Sequence, residues 1–178
     1  MKGDHSLDFG CSYYIICCTL HPRKEVKGMA STGLDTFDKT IHKTNTLLKN
    51  IESELGWEKH RNLSYAALRA VLHALRDRLT VREAADLAAQ LPLLVKGIFY
   101  DGWNPSSVPK KIHKEEFLAE IRKNFAFSLD RSINELVIVV VKVLRKYVSE
   151  GELEDVLSVL PKDLSLMLKQ LERKEINV

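Results

Sequence analysis

Two stretches of the sequence carry the same pattern: LRDRLTVREAAD at residues 75–86 and LRKYVSEGELED at residues 144–155. The second begins roughly 69 positions after the first, and in both the dipeptide Leu-Pro follows, at residues 91–92 and 160–161. Proline is tolerated in the first turn of a helix and disrupts its interior. Each Leu-Pro therefore predicts the start of a new helix, with the proline at its first position.

Both stretches also contain the spacing of a capping box. Thr80 stands three positions before Glu83, and Ser149 stands three positions before Glu152. In this motif the hydroxyl and the carboxylate each accept a backbone N–H at the start of a helix. Each copy thus predicts a helix that ends, a short capped helix and a further helix after Leu-Pro. We expect an all-α fold: a compact helical domain of about eight helices formed by two pseudo-repeats.

Apolar side chains recur at three- and four-residue steps through the first pseudo-repeat, which is the period of a helix with one buried face. The first stripe begins after residue 35 and ends at Gly56, and we expect Trp57 to join the core. Residues 60–79 give the clearest helix, in which alanines beside the apolar face allow another helix to approach closely. The first stripe consists of Phe37, Ile41, Leu47, Leu48, Ile51 and Leu55.

The second pseudo-repeat has the same order, with one ambiguous segment. A helix is predicted over residues 130–148, although the β-branched run at residues 137–141 would favour a strand in isolation. We predict a helix because the corresponding segment of the first pseudo-repeat is rich in alanine and leucine, and duplicated halves are expected to share a fold. Two short helices, at residues 151–159 and 161–173, complete the chain.

The composition is that of a globular protein without a dominant charge. The chain has 178 residues, of which 45% are hydrophobic and 29% charged, and its net charge is +3. Nucleic-acid-binding domains usually show a denser basic footprint. All three cysteines, Cys11, Cys17 and Cys18, precede the helical body, which excludes a disulfide framework for it. The P-loop, Rossmann, serine-elbow and zinc-finger patterns are absent.

The first 28 residues do not match the rest of the chain. Residues 11–20 are apolar and lack a helical period. An export signal is disfavoured by Asp4 and Asp8, which stand where a basic segment is expected. A transmembrane helix would need about 20 apolar residues. We favour an extension that precedes a true start at Met29, or a tail without fixed structure.

Several longer blocks of the helical body together resemble a known family. These blocks are FDKT at residues 37–40, Thr44-Asn45, LGW at 55–57, AALRAVLHALRDRL at 66–79, AQLP at 89–92 and YDGW at 100–103. Over residues 33–168 the chain resembles the domain-of-unknown-function 2267 family of prokaryotic proteins. The resemblance implies a helical fold and a soluble bacterial protein. The family carries no established activity, so the resemblance assigns no catalytic residue.

The chain is accordingly divided into four segments. Residues 1–34 are expected to be an extension outside the family and disordered. Residues 35–104 form the first helical half and residues 114–173 the second, packed together as one globular domain. The linker at residues 105–113 follows from the prolines and serines between the halves.

Four polar side chains lie opposite the apolar face of the clearest helix: Arg69, His73, Arg76 and Asp77. His73 and Asp77 are four residues apart, so they could form an imidazole–carboxylate pair on one helix face. Arg69 and Arg76 could converge on a phosphate or carboxylate. The alternative is an exposed helix face with local ion pairs, each contributing roughly 0.3–0.5 kcal/mol.

The loop Tyr100-Asp101-Gly102-Trp103 is the second candidate site. Tryptophan is enriched at binding hot spots, so this loop could present Trp103 to a partner protein. Alternatively, Tyr100 and Trp103 fold back onto the seam between the halves, with Gly102 supplying a positive φ angle.

No metal site and no cofactor are predicted. The six histidines are scattered, and the Glu-x-x-His pairs of a helical di-metal site are missing. The leading hypothesis is a cytoplasmic, non-enzymatic interaction module that binds a protein partner or a second copy of itself, without membrane insertion. The alternatives are a nucleic-acid-binding protein, and a sensor or enzyme for a small anionic ligand that uses the face formed by Arg69, His73, Arg76 and Asp77.

Overall fold

All regular structure in the described part of the chain, residues 32–111 and 113–175 of a computed structural model, is helical. This confirms the predicted all-α fold of about eight helices. The predicted N-terminal extension lies outside the described residues except for its last three. A 3-10 turn at Pro105–Ser107 lies in the predicted linker. The helices are α1 Asp35–Leu55, α2 Arg61–Arg76, α3 Val81–Gln90, α4 Leu93–Tyr100, α5 Lys114–Asn124, α6 Ile133–Leu144, α7 Glu150–Val159 and α8 Lys162–Glu175.

Helix α1 ends where the sequence predicts. Gly56 adopts the left-handed conformation, with φ at 67°, and its N–H bonds to the carbonyls of Glu52 and Ser53. Glycine takes this conformation without the steric cost that a Cβ imposes. Trp57 then turns back onto the core and stacks on Phe125, with the ring centroids 6.0 Å apart. The end of α1 is thereby fixed against the residue that follows α5.

The valine-rich segment of the second half is helical, as expected from its alanine-rich counterpart. Helix α6 begins after Ser132, whose hydroxyl accepts the N–H of Glu135. Most of its side chains are buried, and the helix contacts α1, α2, α5 and α8. Burial against four neighbours outweighs the modest helix propensity of β-branched residues. Tertiary packing therefore decides the conformation of this segment.

Several helix boundaries differ from the sequence prediction, and one of them is the start of α8 at Lys162 instead of Pro161. Helix α2 ends at Arg76, because residues 77–79 form a turn. Pro92 is the N-cap of α4 and not its first residue. Helix α6 spans 133–144 instead of 130–148. The exact end of a helix depends on local hydrogen bonds and not on the periodicity of apolar residues. These shifts leave the order of the helices unchanged.

Helix α2 lies at the centre of the domain. It contacts α1, α4, α5 and α6. Ala67, Ala70 and Ala74 are buried along it, so neighbouring helices can approach its backbone closely. The predicted apolar stripe of α1 is buried from Leu47 to Leu55. Phe37, which was predicted to share that buried face, is instead 48% exposed, because the start of α1 extends beyond the core.

Helix contacts of the first half recur in the second. The pairs α1–α2, α2–α4 and α3–α4 correspond in order to α5–α6, α6–α8 and α7–α8. Between the halves, α1 contacts α6 while α2 contacts α5, and α3 contacts α7. Two related halves would produce this arrangement. The duplication itself stays a prediction.

The two predicted capping boxes differ in one contact. In the first, Thr80 Oγ1 accepts the Glu83 N–H at 3.3 Å, and Glu83 Oε2 accepts the Thr80 N–H at 2.8 Å. In the second, the Ser149 hydroxyl accepts the Glu152 N–H at 3.4 Å, but the Ser149 N–H donates to Oε1 of Gln90 at 2.7 Å. Gln90 ends α3, so the first half completes the cap of α7. The prediction of a second self-contained capping box was wrong.

This difference predicts unequal costs for substitutions at equivalent positions. Glu83→Ala should lower the free energy of unfolding by about 1 kcal/mol, because the Thr80 N–H loses its acceptor. Gln90→Ala should have a similar effect through Ser149. Glu152→Ala should cost less than either, since its carboxylate accepts no backbone N–H of Ser149. Urea unfolding of the three variants measures this order, and equal losses at Glu83 and Glu152 would contradict it.

Candidate functional site

Arg76, predicted to lie opposite the apolar face of its helix, is buried and binds the end of α4. Its side chain is 5% exposed. Nη1 donates to the carbonyl of Phe99 at 2.7 Å and to that of Asp101 at 3.0 Å. The last carbonyls of a helix have no partner within the helix and carry a partial negative charge. The guanidinium of Arg76 supplies both the donor and the positive charge that this helix end needs.

Two further residues of the predicted face contact the same end of α4. His73 Nε2 donates to the carbonyl of Ile98 at 2.7 Å. Arg69 Nη2 donates to Oδ2 of Asp101 at 2.9 Å, with both side chains largely exposed. The structure thus brings Arg69, His73 and Arg76 together at the end of α4. All three side chains donate hydrogen bonds to backbone or side-chain oxygens of the chain itself. The interpretation as a site for a free anion stays a prediction.

Asp77, the fourth predicted residue, turns away from His73. Its Oδ1 accepts from Arg76 Nε at 2.9 Å, and its Oδ2 accepts from Lys110 Nζ at 2.7 Å. Burial would raise the pKa of Asp77, but these hydrogen bonds outweigh burial and lower it. His73 and Asp77 therefore contact different partners instead of each other. Asp77 anchors the linker through two groups. Its carboxylate binds Lys110 Nζ, and its backbone carbonyl accepts the Lys110 N–H at 2.7 Å.

The charged network continues to residues that the sequence analysis did not single out. Glu120 of α5 accepts from Lys110 at 3.5 Å and from Arg78 Nη2 at 2.7 Å. The Arg78 side chain is almost fully buried and lies over the Phe117 ring, 5.2 Å from its centroid. These contacts join the end of α2, the linker and α5. No sequence motif marks them, because they connect residues far apart in the chain.

The aromatic loop folds back onto the first half. Tyr100 and Trp103 pack against the core, and their ring centroids are 5.3 Å apart. Gly102 has a φ of 64°, which permits the tight turn between them. The Tyr100 hydroxyl donates to the carbonyl of Ala84 in α3 at 3.4 Å. Asp101 and Gly102 are exposed at the tip of this loop. A partner-binding role for the loop stays a prediction.

A patch of exposed apolar side chains lies where α1 and α4 begin. Leu34, Phe37, Leu93 and Leu94 are each between 46% and 53% exposed. The Leu94 N–H donates to Oγ1 of Thr40 at 3.0 Å, which joins the first turns of the two helices. We call these four residues the α1–α4 patch. Contiguous exposed apolar surface is uncommon on soluble proteins and often marks a contact surface.

A surface groove of about 320 Å3 separates α3 from α7. Carboxylates occupy equivalent positions on its two walls: Glu83 and Asp86 from α3, and Glu152 and Asp155 from α7. Burial raises the pKa of Glu152, and the neighbouring aspartates raise it further. The groove concentrates negative charge on a chain that is basic overall. Within residues 32–111 and 113–175, no three His, Cys, Asp or Glu side chains could hold a metal ion.

The chain matches a known protein family. The model of a family described as "Uncharacterized conserved protein (DUF2267)" matches residues 44–167, most of the chain. The match begins later than the resemblance over residues 33–168 had predicted, so the FDKT block at residues 37–40 lies outside it. No curated protein matches the chain.

The contrast between Arg76 and Arg69 predicts unequal effects on stability. Arg76→Met should lower the free energy of unfolding by about 3 kcal/mol, because the buried Phe99 carbonyl and the Asp101 carbonyl lose their side-chain donor and the Asp77 carboxylate loses one of its two cations. Arg69→Met should cost at most about 1 kcal/mol, because it removes an exposed ion pair. Urea unfolding of both variants measures the difference. Equal losses would mean that Arg76 is not the main support of α4.

His73 should make the stability depend on pH. Burial lowers its pKa, the hydrogen bond to Ile98 opposes this, and Arg76 and Arg69 lower the pKa further. The unfolded chain therefore binds a proton near pH 6.5 more readily than the folded chain does, so stability falls as the pH drops through and below 6.5.

His73→Gln should remove this part of the pH dependence, since glutamine can still donate to Ile98 and does not titrate. Unfolding free energies at pH 8, 7, 6 and 5.5 test the prediction, with His42→Gln, an exposed histidine of α1, as control. A pH profile that is unchanged in the His73 variant would contradict it.

Proposed function

The chain belongs to the DUF2267 family, and we propose that it is a non-enzymatic protein-interaction module that docks through the α1–α4 patch. The observation that carries this proposal is the exposure of four large apolar side chains at one junction of two helices. Such a surface costs free energy in water, and a partner that covers it recovers this cost.

The apolar stripe of α1 continues beyond the core that it helps to form. Leu48 is buried, Ile41 two turns earlier is half-buried, and Phe37 and Leu34 are about half exposed. The spacing of Phe37, Ile41 and Leu48 keeps them on one helix face, and Leu34 is the N-cap residue just before it. The domain covers only the later part of this face. The first turns of α1 therefore present an apolar surface that the other described residues, 32–111 and 113–175, leave accessible.

The start of α4 is apolar where the corresponding helix of the predicted second pseudo-repeat is polar. In the predicted second pseudo-repeat, Lys162 and Asp163 stand roughly 69 positions after Leu93 and Leu94, at the start of α8. A polar pair thus begins the corresponding helix. This supports a role for Leu93 and Leu94 in contact with a partner, since folding alone accepts polar side chains there.

The residues of the predicted polar site already bind other parts of the chain, which supports a role without catalysis. The side chains of Arg69, His73 and Arg76 bind oxygens at the end of α4. A general base needs a substrate proton within hydrogen-bond reach. The Nε2 atom of His73 is already occupied by a backbone carbonyl, so its available basic atom is Nδ1 alone.

The location and other partners stay predictions. No helix among the described residues is long and apolar enough to cross a membrane. We propose that the protein is bacterial and cytoplasmic, and both proposals depend on its resemblance to the DUF2267 family. Nucleic-acid binding and binding of a small anion remain alternatives, and none of the contacts above favours either over protein binding.

Site-specific photo-crosslinking in the native host tests the proposed function. The photoreactive residue p-benzoylphenylalanine in place of Phe37 should give a defined covalent adduct with a protein. The same residue in place of Leu166, an exposed leucine of α8, is the matched control and should give none. Leu94→Asp in the Phe37 variant should remove the adduct, because a charge in the patch opposes apolar contact. Adducts of equal yield from both positions, or none from Phe37, would contradict the proposal.

A further inference from the structure

We propose that the bond between Asp101 and Gly102 is a site of spontaneous aspartate isomerisation, and that the hydrogen bonds from Arg69 and Arg76 to Asp101 set its rate. The sequence contains an Asp-Gly pair only here. Glycine has no side chain to shield its amide nitrogen, so an aspartate before a glycine is open to attack by that nitrogen. The reaction is independent of the α1–α4 patch and of any partner protein.

The reaction consumes no molecule other than water. The amide nitrogen of Gly102 attacks Cγ of Asp101 and forms a new C–N bond. The amide proton and the hydroxyl of the carboxyl group leave together as water, and the product is a cyclic succinimide. Water then opens this ring at either of its carbonyls. One opening restores aspartate, and the other gives isoaspartate, in which the main chain runs through Cβ and Cγ.

The loop leaves this pair of residues accessible to solvent. The Asp101 side chain is 60% exposed, and Gly102 is exposed at the tip of the loop. Gly102 has a φ of 64°, and no atom of the described residues lies within 4 Å of the position that a Cβ on it would occupy. The surroundings therefore have room for the ring once the main chain can rotate.

Two arginines of α2 hold Asp101 in a conformation from which the ring cannot close. Closure requires Cγ of Asp101 and the nitrogen of Gly102 to lie on the same side of the bond between Cα and the carbonyl carbon. At the observed ψ of 124° the nitrogen is turned away from the side chain. Rotation about this bond moves the Asp101 carbonyl, which accepts from Arg76 Nη1 at 3.0 Å, while Arg69 Nη2 holds the carboxylate at 2.9 Å. The ring therefore forms only when the loop opens locally.

The hydrogen bond from Arg69 also opposes the chemical step. It is the largest cause that lowers the pKa of Asp101, and the charges of His73 and Arg76 lower this pKa further. The ring forms from the protonated carboxyl group, because its hydroxyl leaves as water, whereas a carboxylate has no such leaving group. Loss of Arg69 should therefore free the side chain and increase its protonated fraction.

Isomerisation would change the aromatic loop that contains the second candidate site. Isoaspartate lengthens the main chain between Tyr100 and Trp103, whose backbone groups are joined by a hydrogen bond of 3.1 Å from the Trp103 N–H to the Tyr100 carbonyl. Both aromatic rings pack against the core. We expect the longer main chain to break this hydrogen bond and to shift Trp103 against the core. The loop would then exist in two chemical forms with different surfaces.

Incubation of the purified full chain at pH 6 and 37 °C, followed by peptide mapping, tests the proposal. Trypsin releases residues 97–110, in which chromatography separates the aspartate and isoaspartate forms. Arg69→Met should accumulate isoaspartate about two- to fivefold faster than the wild type, the factor by which loss of an exposed ion pair shifts an opening equilibrium. Arg82→Met removes another exposed arginine, which pairs with Asp86 on α3, and as the matched control it should leave the rate unchanged. Melting curves show that each variant remains folded.

Two further samples identify the reacting bond and the restraint on it. Asp101→Glu in the Arg69→Met variant should abolish the product, because the longer side chain of glutamate gives a larger ring that closes far more slowly. A synthetic peptide of residues 97–110 lacks both arginines of α2 and should isomerise faster than either full chain. Equal rates in the wild type and in Arg69→Met, or a peptide no faster than the wild type, would overturn the restraint. A complete lack of isoaspartate at residue 101 in every sample would overturn the site.

Discussion

The ends of short helices are the main constraint on this fold, and residues from other helices satisfy them. Helix α4 has eight residues, too few to be stable alone. Its first turn is held by the Thr40 hydroxyl and its last by Arg76. Likewise, Gln90 accepts an N–H at the start of α7, and Asp163 accepts the Lys114 N–H at the start of α5. Each short helix therefore depends on a neighbour for its ends as well as for its apolar face.

This constraint explains which parts of the fold could be predicted from the sequence. Helix order follows from periodicity and from local signals such as the Thr80 cap and Gly56, which involve residues within one turn. The cap that Gln90 provides for Ser149 could not be predicted, because the two residues are 59 positions apart. The same holds for Arg78 and Glu120, which are 42 apart. A single sequence contains no local pattern that indicates contacts between residues so far apart.

The predicted polar face illustrates the same limit at the candidate site. Its four residues were placed on one helix face because of their spacing, but Asp77 lies in the turn after α2 and contacts Arg76 and Lys110 instead of His73. An exposed face was the alternative interpretation for these residues, and it does not hold for Arg76, which is buried because the carbonyl oxygens of α4 compensate the loss of water. Such compensation is a tertiary property. The apolar patch was missed for the opposite reason: periodicity places Phe37 on the core face, but cannot tell where the core ends.

The α1–α4 patch combines two parts of the chain with different relations to the family. Leu93 and Leu94 lie within the matched residues 44–167, whereas Leu34 and Phe37 precede them. The first turns of α1 also extend beyond the length of α5, its counterpart in the predicted second half. A surface that needs both parts is incomplete wherever those turns are missing or polar.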